Sequence, residues 1–231
     1  MARTSEFSTF LHYLESIRTS LYRLTIFFCL VFACGLFFSP HILRYFLIFF
    51  RTPGVTMATT SPFQLTGLTV DLSLSLALLA SIPLLLYILF SFVTPAMTPR
   101  EKRMVWYVIP LGIILFLLGT MYGFGILYYS LGTLAHINES FGLTNIWDIS
   151  AFISEIIITG ILLGALFQFP LILTALLRLH LLSPESLKSS RRVVYFSIFI
   201  IVSLLPPTDG LSLIIMTVPL ILLYELVLLM H

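Results

Sequence analysis

Charge is what this chain lacks. Only 10% of its 231 residues are Asp, Glu, Lys or Arg, against about 25% in an ordinary soluble domain, while 59% are hydrophobic. Water cannot keep such a surface apart from its neighbours, so the solvent is lipid and the chain reads as an integral membrane protein. A basic domain is also missing: twelve Lys and Arg against ten Asp and Glu leave +2, and nucleic-acid binding is excluded. Cysteine is scarce. Cys29 and Cys34 both fall in the first apolar stretch, turned away from each other on a helix, so they read as small packing residues rather than a disulfide. There is no His-Glu-x-x-His, no Gly-x-Ser-x-Gly and no paired membrane aspartate, so an intramembrane enzyme is not expected, nor a metal or other cofactor. The first twenty residues lack a compact apolar core followed by a small-residue cleavage site, so no cleavable signal peptide is expected.

What is present is a series of apolar runs of helical length. The pattern predicts an all-α, polytopic fold with six transmembrane helices, over about 21–38, 68–93, 104–129, 149–177, 193–205 and 211–230. Phe7, Phe10, Leu11, Leu14 and Ile17 recur at three and four, which makes 1–20 an amphipathic helix along the surface. The first span is expected to stop at Ser39-Pro40, with a short interfacial helix and a loop filling 39–66. The fifth run has thirteen residues, about 20 Å as a helix against a hydrocarbon core of about 30 Å. Pro219 interrupts the sixth, so the last two spans read as a short hairpin.

Lysine and arginine set the orientation. Ten of the twelve cations fall before the first span, between the second and third, and between the fourth and fifth; only Arg44 and Arg51 fall on the other side. The N-terminus, the 94–103 turn and the 178–192 loop then face the cytoplasm, and with six spans so does the C-terminus.

Several polar residues need an account. Asp71 and Asp148 sit at outer helix ends, where a carboxylate caps the first turn. Glu225, near the inner end of the last helix, can snorkel to the headgroups. Glu155 lies seven residues after Asp148, about 10 Å deep, where a charge costs roughly 2.5–3.5 kcal/mol on insertion scales. It is protonated, paired or facing a water-filled concavity. Gln168, in Phe167-Gln168-Phe169-Pro170, lies about 15 Å from the inner surface. Its amide is either glue within the bundle or a docking point for a polar residue on another membrane helix, and Pro170 invites a kink. At the inner face Glu15 and Glu101 stand among cations, either as a solvated charge run or as a carboxylate pair for a guanidinium, whose planar fork a carboxylate grips bidentately.

These pieces, in order, resemble the TatC family, the polytopic receptor subunit of the twin-arginine protein translocase. The resemblance is carried by His12-Tyr13-Leu14-Glu15, Ser61-Pro62-Phe63, Phe92-Val93-Thr94-Pro95-Ala96 followed by Glu101, Asp148-Ile149, Phe167-Gln168-Phe169-Pro170, Ser183-Pro184-Glu185-Ser186-Leu187 and Leu204-Leu205-Pro206-Pro207-Thr208-Asp209. It implies a concave, glove-like bundle in a bacterial cytoplasmic (inner) membrane. The protein would bind the Arg-Arg motif of folded cargo's signal peptide at Glu15, Phe92 and Glu101. Gln168 and Pro170 would meet single-span TatA/TatB-type partner subunits, with Pro207 and Asp209 forming the outer turn. Export would draw on the proton-motive force, within a larger complex containing further copies of the chain and membrane lipid. The alternative is a proton-coupled small-solute transporter with Glu155 and Gln168 lining its path. Two local departures stand out: Glu15 and Arg18 are separated by two residues where the family commonly has one, and Glu155 occupies a position expected to be apolar.

Overall fold

The computed structural model describes residues 2–50, 53–93, 99–178, 181–207 and 209–230, with backbone alone for 2–17, 89–93 and 99–107. The elements in chain order are α1 (Ala2–Phe49), β1 (Val55–Ala58), α2 (Gln64–Val93), α3 (Pro99–Ser140), β2 (Asn145–Asp148), α4 (Ile149–Leu166), α5 (Phe169–Arg178), α6 (Pro184–Ser189), α7 (Arg191–Ser203) and α8 (Gly210–Met230). Lipid offers the backbone no hydrogen bonds, so apolar runs of this length close theirs internally as helices. Five segments are long and apolar enough to cross a bilayer: Arg18–Phe49, Gln64–Ile88, Val108–Ser140, Ile149–Arg178 and Gly210–Met230. The sixth expected span, α7, has 13 residues and falls short, as its sequence foretold.

Two helices run past their expected ends. α1 continues as one helix through Ser39-Pro40, because one interior proline removes only one backbone bond and Ser39, fully buried, donates its hydroxyl to the Leu36 carbonyl (3.0 Å). No break separates 2–20 from the first span. The direction of α1 nevertheless changes. Gly35 packs against Ser73, with a Cβ built on it 3.1 Å from the Ser73 Cβ. A straight rod would carry Phe50 about 22 Å beyond that point, yet Phe46 and Phe50 both close on Phe124 with ring centroids 6.0 Å apart. The final turns of α1 therefore fold over the bundle, and Pro40 is the residue that permits the bend. Ile42, Leu43, Phe46 and Leu47 face the outer core there. α3 likewise continues past Tyr129 to Ser140, since Leu131 and Ala135 keep an apolar side to bury. Cys29 and Cys34 are exposed, so they do not pack the interior as expected: the first span turns them outward.

At the end of the bundle where α1 and α3 finish, a two-stranded parallel ladder pairs Val55–Ala58 with Asn145–Asp148. α3 and α4 approach each other closely through glycines. Gly119 and Gly123 meet Gly160 and Gly164, and a Cβ on Gly119 would sit 2.8 Å from the Leu163 carbonyl oxygen and 2.9 Å from the Gly164 Cα. Each helix supplies a Gly-x-x-x-Gly pair, which lets backbones approach where apolar burial gives no advantage over lipid. Gly119→Leu is expected to cost about 1–3 kcal/mol by overpacking and to lower the thermal midpoint in detergent. Gly125→Leu, on the same helix with nothing within 4 Å of the added carbon, should leave the midpoint unchanged or raise it.

Candidate functional site

The expected signal-peptide residues lie at one end of the bundle. Phe92 is in the last turn of α2 and Glu101 in the first turn of α3, flanking the same connection. The Gly35–Ser73 contact gives the height of Glu15: it is twenty residues before Gly35, and Val93 is twenty after Ser73, so both lie about 30 Å from that contact in the same direction. The side chains of Glu15, Phe92 and Glu101 lie outside the described residues.

Gln168 lies inside the bundle, where the long fourth segment breaks. α4 ends at Leu166 and α5 begins at Phe169, so the kink expected near Pro170 is present. Pro170 is the second residue of α5, where its missing N–H costs nothing. The turn is closed by Phe167 N–H donating to Leu163 O and Gln168 N–H to Ala165 O, both 3.0 Å. Gln168 is 6% exposed. Its Nε2 donates to the Gly112 carbonyl at 2.9 Å, and the absence of a side chain at Gly112 leaves room for the amide, whose Oε1 would lie 3.3 Å from a Cβ there. Oε1 itself has no hydrogen-bond partner among the described residues. The amide is thus half glue: one side binds the bundle and the other is an unused acceptor.

Asp209 fastens the turn between α7 and α8. It precedes α8, accepts the Ser212 N–H (2.9 Å) and the Ser130 hydroxyl (2.7 Å), and so ties the short hairpin to α3. Burial pushes its carboxyl up, but the Ser212 and Ser130 hydrogen bonds outweigh it and hold the group below the usual range. Pro206-Pro207 is cis, and the Pro206 carbonyl accepts the Thr159 hydroxyl at 2.8 Å. Pro207 is half-buried in this turn.

The other acids fall into three kinds. Asp148 caps α4 as expected, accepting the N–H groups of Ser150 (2.9 Å) and Ala151 (3.0 Å). It also takes the Thr60 hydroxyl (2.6 Å) and the Gln64 amide (2.6 and 2.7 Å), joining the start of α2 to the start of α4. The Thr60 bond first, with the Ala151, Gln64 and Ser150 donors, draws its carboxyl down from 3.8 to about 2. A depressed carboxyl contributes stability above the ordinary value and loses it as pH falls through the lowered one. The stability difference between the native chain and Asp148→Asn in detergent should therefore be full above about pH 4 and shrink towards pH 2. A difference independent of pH over that window would contradict the assignment.

Asp71 is not a first-turn cap. α2 already begins at Gln64, so Asp71 sits seven residues inside it, exposed. Glu225 does not snorkel freely. It pairs with Arg191 at 3.0 Å and accepts the Tyr195 hydroxyl, clamping α8 to α7. Glu155 is exposed and lines a hollow of about 370 Å³ with Leu131, Leu134, Asn138, Trp147, Asp148 and Phe152. It has no ion-pair partner among the described residues and faces an open hollow. Gln168 is not among the residues of that hollow. Thr60, Gln64, Ser130, Ser212 and Gly112 escaped sequence reasoning, since each meets its partner across a gap of 56 to 88 residues or acts through its backbone.

Comparison with known proteins fits this arrangement. The model of the family described as Sec-independent protein translocase protein (TatC) matches residues 12–219. TatCy of Bacillus subtilis is 28% identical over 94% of this chain and 85% of its own. TatC of Escherichia coli K12 is 25% identical over 93% and 84%. In three dimensions the chain superimposes on a crystal structure of the twin arginine translocase receptor TatC in DDM with a TM-score of 0.82 and 25% identity, covering 94% of this chain and 98% of that one. With the family model matched over most of its length, the chain belongs to the TatC family.

Proposed function

We propose that the protein is the receptor for twin-arginine signal peptides and a core subunit of the translocase that carries folded proteins across a bacterial inner membrane, driven by the proton-motive force. The observation that carries the reading is the likeness, over 94% of the chain, to a solved twin arginine translocase receptor. Family membership supports the translocase part directly. The receptor part adds the similar height of Glu15, Phe92 and Glu101 along their helices, at the end rich in Lys and Arg. The positive-inside rule makes that end cytoplasmic, where a signal peptide would first meet it, and leaves both termini on the same side.

In this reading Glu101 and Glu15 grip the paired guanidinium groups at the surface, and the peptide's apolar stretch follows along the bundle. Gln168 serves the single-span partner subunits: its free Oε1 is an acceptor in hydrocarbon, and a donor from a partner helix would satisfy it. Pro170 keeps the helix broken at that height. Copies of the chain assemble within the complex. The transporter alternative is weaker, because it asks Glu155 and Gln168 to line one path. They stand thirteen residues apart, about 20 Å along the helix, one in an open hollow and the other buried against Gly112.

The test is export of a folded reporter carrying an Arg-Arg signal peptide, in cells whose sole copy is Glu101→Ala, with protein levels matched. Loss of export is expected. Normal export would sink the receptor role.

A further inference from the structure

Glu155 and Arg44 are opposite charges without a side-chain partner among the described residues; Asp71, exposed on α2, is a second such acid. Glu155 is exposed in the hollow between α3 and α4, and no hydrogen bond or ion pair reaches it among the described residues. Its polar neighbours are engaged elsewhere. Asp148 is occupied by Thr60, Gln64 and two backbone N–H groups, and the Asn138 amide donates to Asn145 Oδ1 at 2.8 Å. Glu155 is therefore the free acceptor of the hollow. The part of α1 beyond Pro40 buries Ile42, Leu43, Phe46 and Leu47 against the core and turns His41, Arg44, Tyr45, Ile48 and Phe49 outward. Tyr45 and Phe49 are each 73% exposed, and Arg44 has no partner among the described residues.

The heights of the two charges agree. Gln64 is bonded to Asp148, so the starts of α2 and α4 are level. Gly35 touches Ser73, nine residues past Gln64 or about 13 Å inward, which puts Pro40 about 6 Å inward of the Gln64–Asp148 bridge. Arg44 lies on the bent segment between Pro40 and Phe46, whose ring meets Phe124 beside Gly160, and Glu155 lies about 10 Å inward. The remaining gap is within the length of an arginine side chain. The surfaces also match in character: Arg44 stands among exposed apolar and aromatic side chains, Glu155 in a concave and mainly apolar hollow.

We propose that these surfaces are one interface between two copies of this chain, with Arg44 of each copy entering the hollow of the other and bonding Glu155. A two-fold arrangement makes both pairs at once. A guanidinium suits the site because it grips a carboxylate with two parallel bonds, and the low-dielectric surroundings strengthen the attraction. The pairing deepens the oligomeric part of the proposed function and rests on that part alone. Its test needs neither cargo nor partner subunits, so its failure is separable from failure of signal-peptide binding.

Two measurements decide it, on full-length protein with Cys29→Ser and Cys34→Ser. In membranes containing a tagged Arg44→Cys copy and an untagged Glu155→Cys copy, oxidation should give a disulfide-linked pair. The same oxidation should give none when both copies carry Gly67→Cys, an exposed helical position remote from both charges in sequence. In detergent, Arg44→Glu or Glu155→Arg alone should weaken self-association roughly tenfold or more, the scale of a charged hydrogen bond. The double reversal should restore it to within about threefold. Recovery in the double variant also shows that each single variant is folded. No cross-link together with charge-independent association would overturn the interface. Loss of a co-purifying amine-bearing phospholipid in Glu155→Gln, with self-association unchanged, would overturn it too and give the hollow to lipid.

Discussion

Glu101→Gln is expected to weaken binding of an Arg-Arg signal peptide by roughly tenfold to a hundredfold while leaving the fold intact. The substitution keeps the side chain's size and removes its charge. A hydrogen bond to a charged group contributes about 1.5–3 kcal/mol, and each 1.4 kcal/mol is tenfold in affinity. Glutamine retains one acceptor oxygen but lacks the second that a guanidinium fork engages. The loss should also diminish as salt is added to the native protein, since the site lies at a surface where ions screen. Titration of a labelled peptide into purified protein measures it. An unchanged affinity at low salt would remove Glu101 from the site.

Gln168→Leu is expected to separate assembly from stability. The substitution deletes the 2.9 Å bond to the Gly112 carbonyl but also removes the buried Oε1 that has no partner. Losing a donor while relieving an orphaned acceptor offsets most of the cost, so the thermal midpoint should move little, equivalent to within about 1 kcal/mol. Association with the single-span partner subunits, by contrast, should fall roughly tenfold, because the acceptor offered to their helices is gone. Co-purification from detergent and a melting curve on the same sample give both numbers. A large drop in the midpoint with partner binding preserved would make Gln168 internal glue only.

The fold was legible where lipid dictates it and obscure where distant parts of the chain meet. Apolar length marked the long spans, and thirteen residues before Pro206-Pro207 marked α7 as short. Ser39-Pro40 misled because a proline that would stop a helix in water is tolerated when the rest of the hydrogen-bond run has nowhere else to go. Two four-residue strands separated by almost ninety residues carry no local signature. The Gly-x-x-x-Gly pairs at 119–123 and 160–164 are a local sign of close helix packing. Among the acids, Asp148 was recognisable as a cap from its place before α4, but its ties to Thr60 and Gln64 were not. Asp71 was misplaced because the Ser61-Pro62-Phe63 turn starts α2 at Gln64, earlier than the apolar run suggests. Glu225 found Arg191 thirty-four residues upstream, a pairing that only the α7–α8 hairpin creates. Gln168 announced itself as a polar group needing partners, and the structure supplies one of them.

The central claim is that this bundle end reads arginine pairs, and the direct measurement is selectivity. An Arg-Arg signal peptide and its Lys-Lys counterpart, equal in charge and length, would be titrated into the purified native protein in detergent. Carboxylates that hold planar forks should bind the Arg-Arg peptide at least tenfold more tightly. Equal affinity for the two peptides would mean that the surface responds to positive charge alone, and would contradict the receptor role.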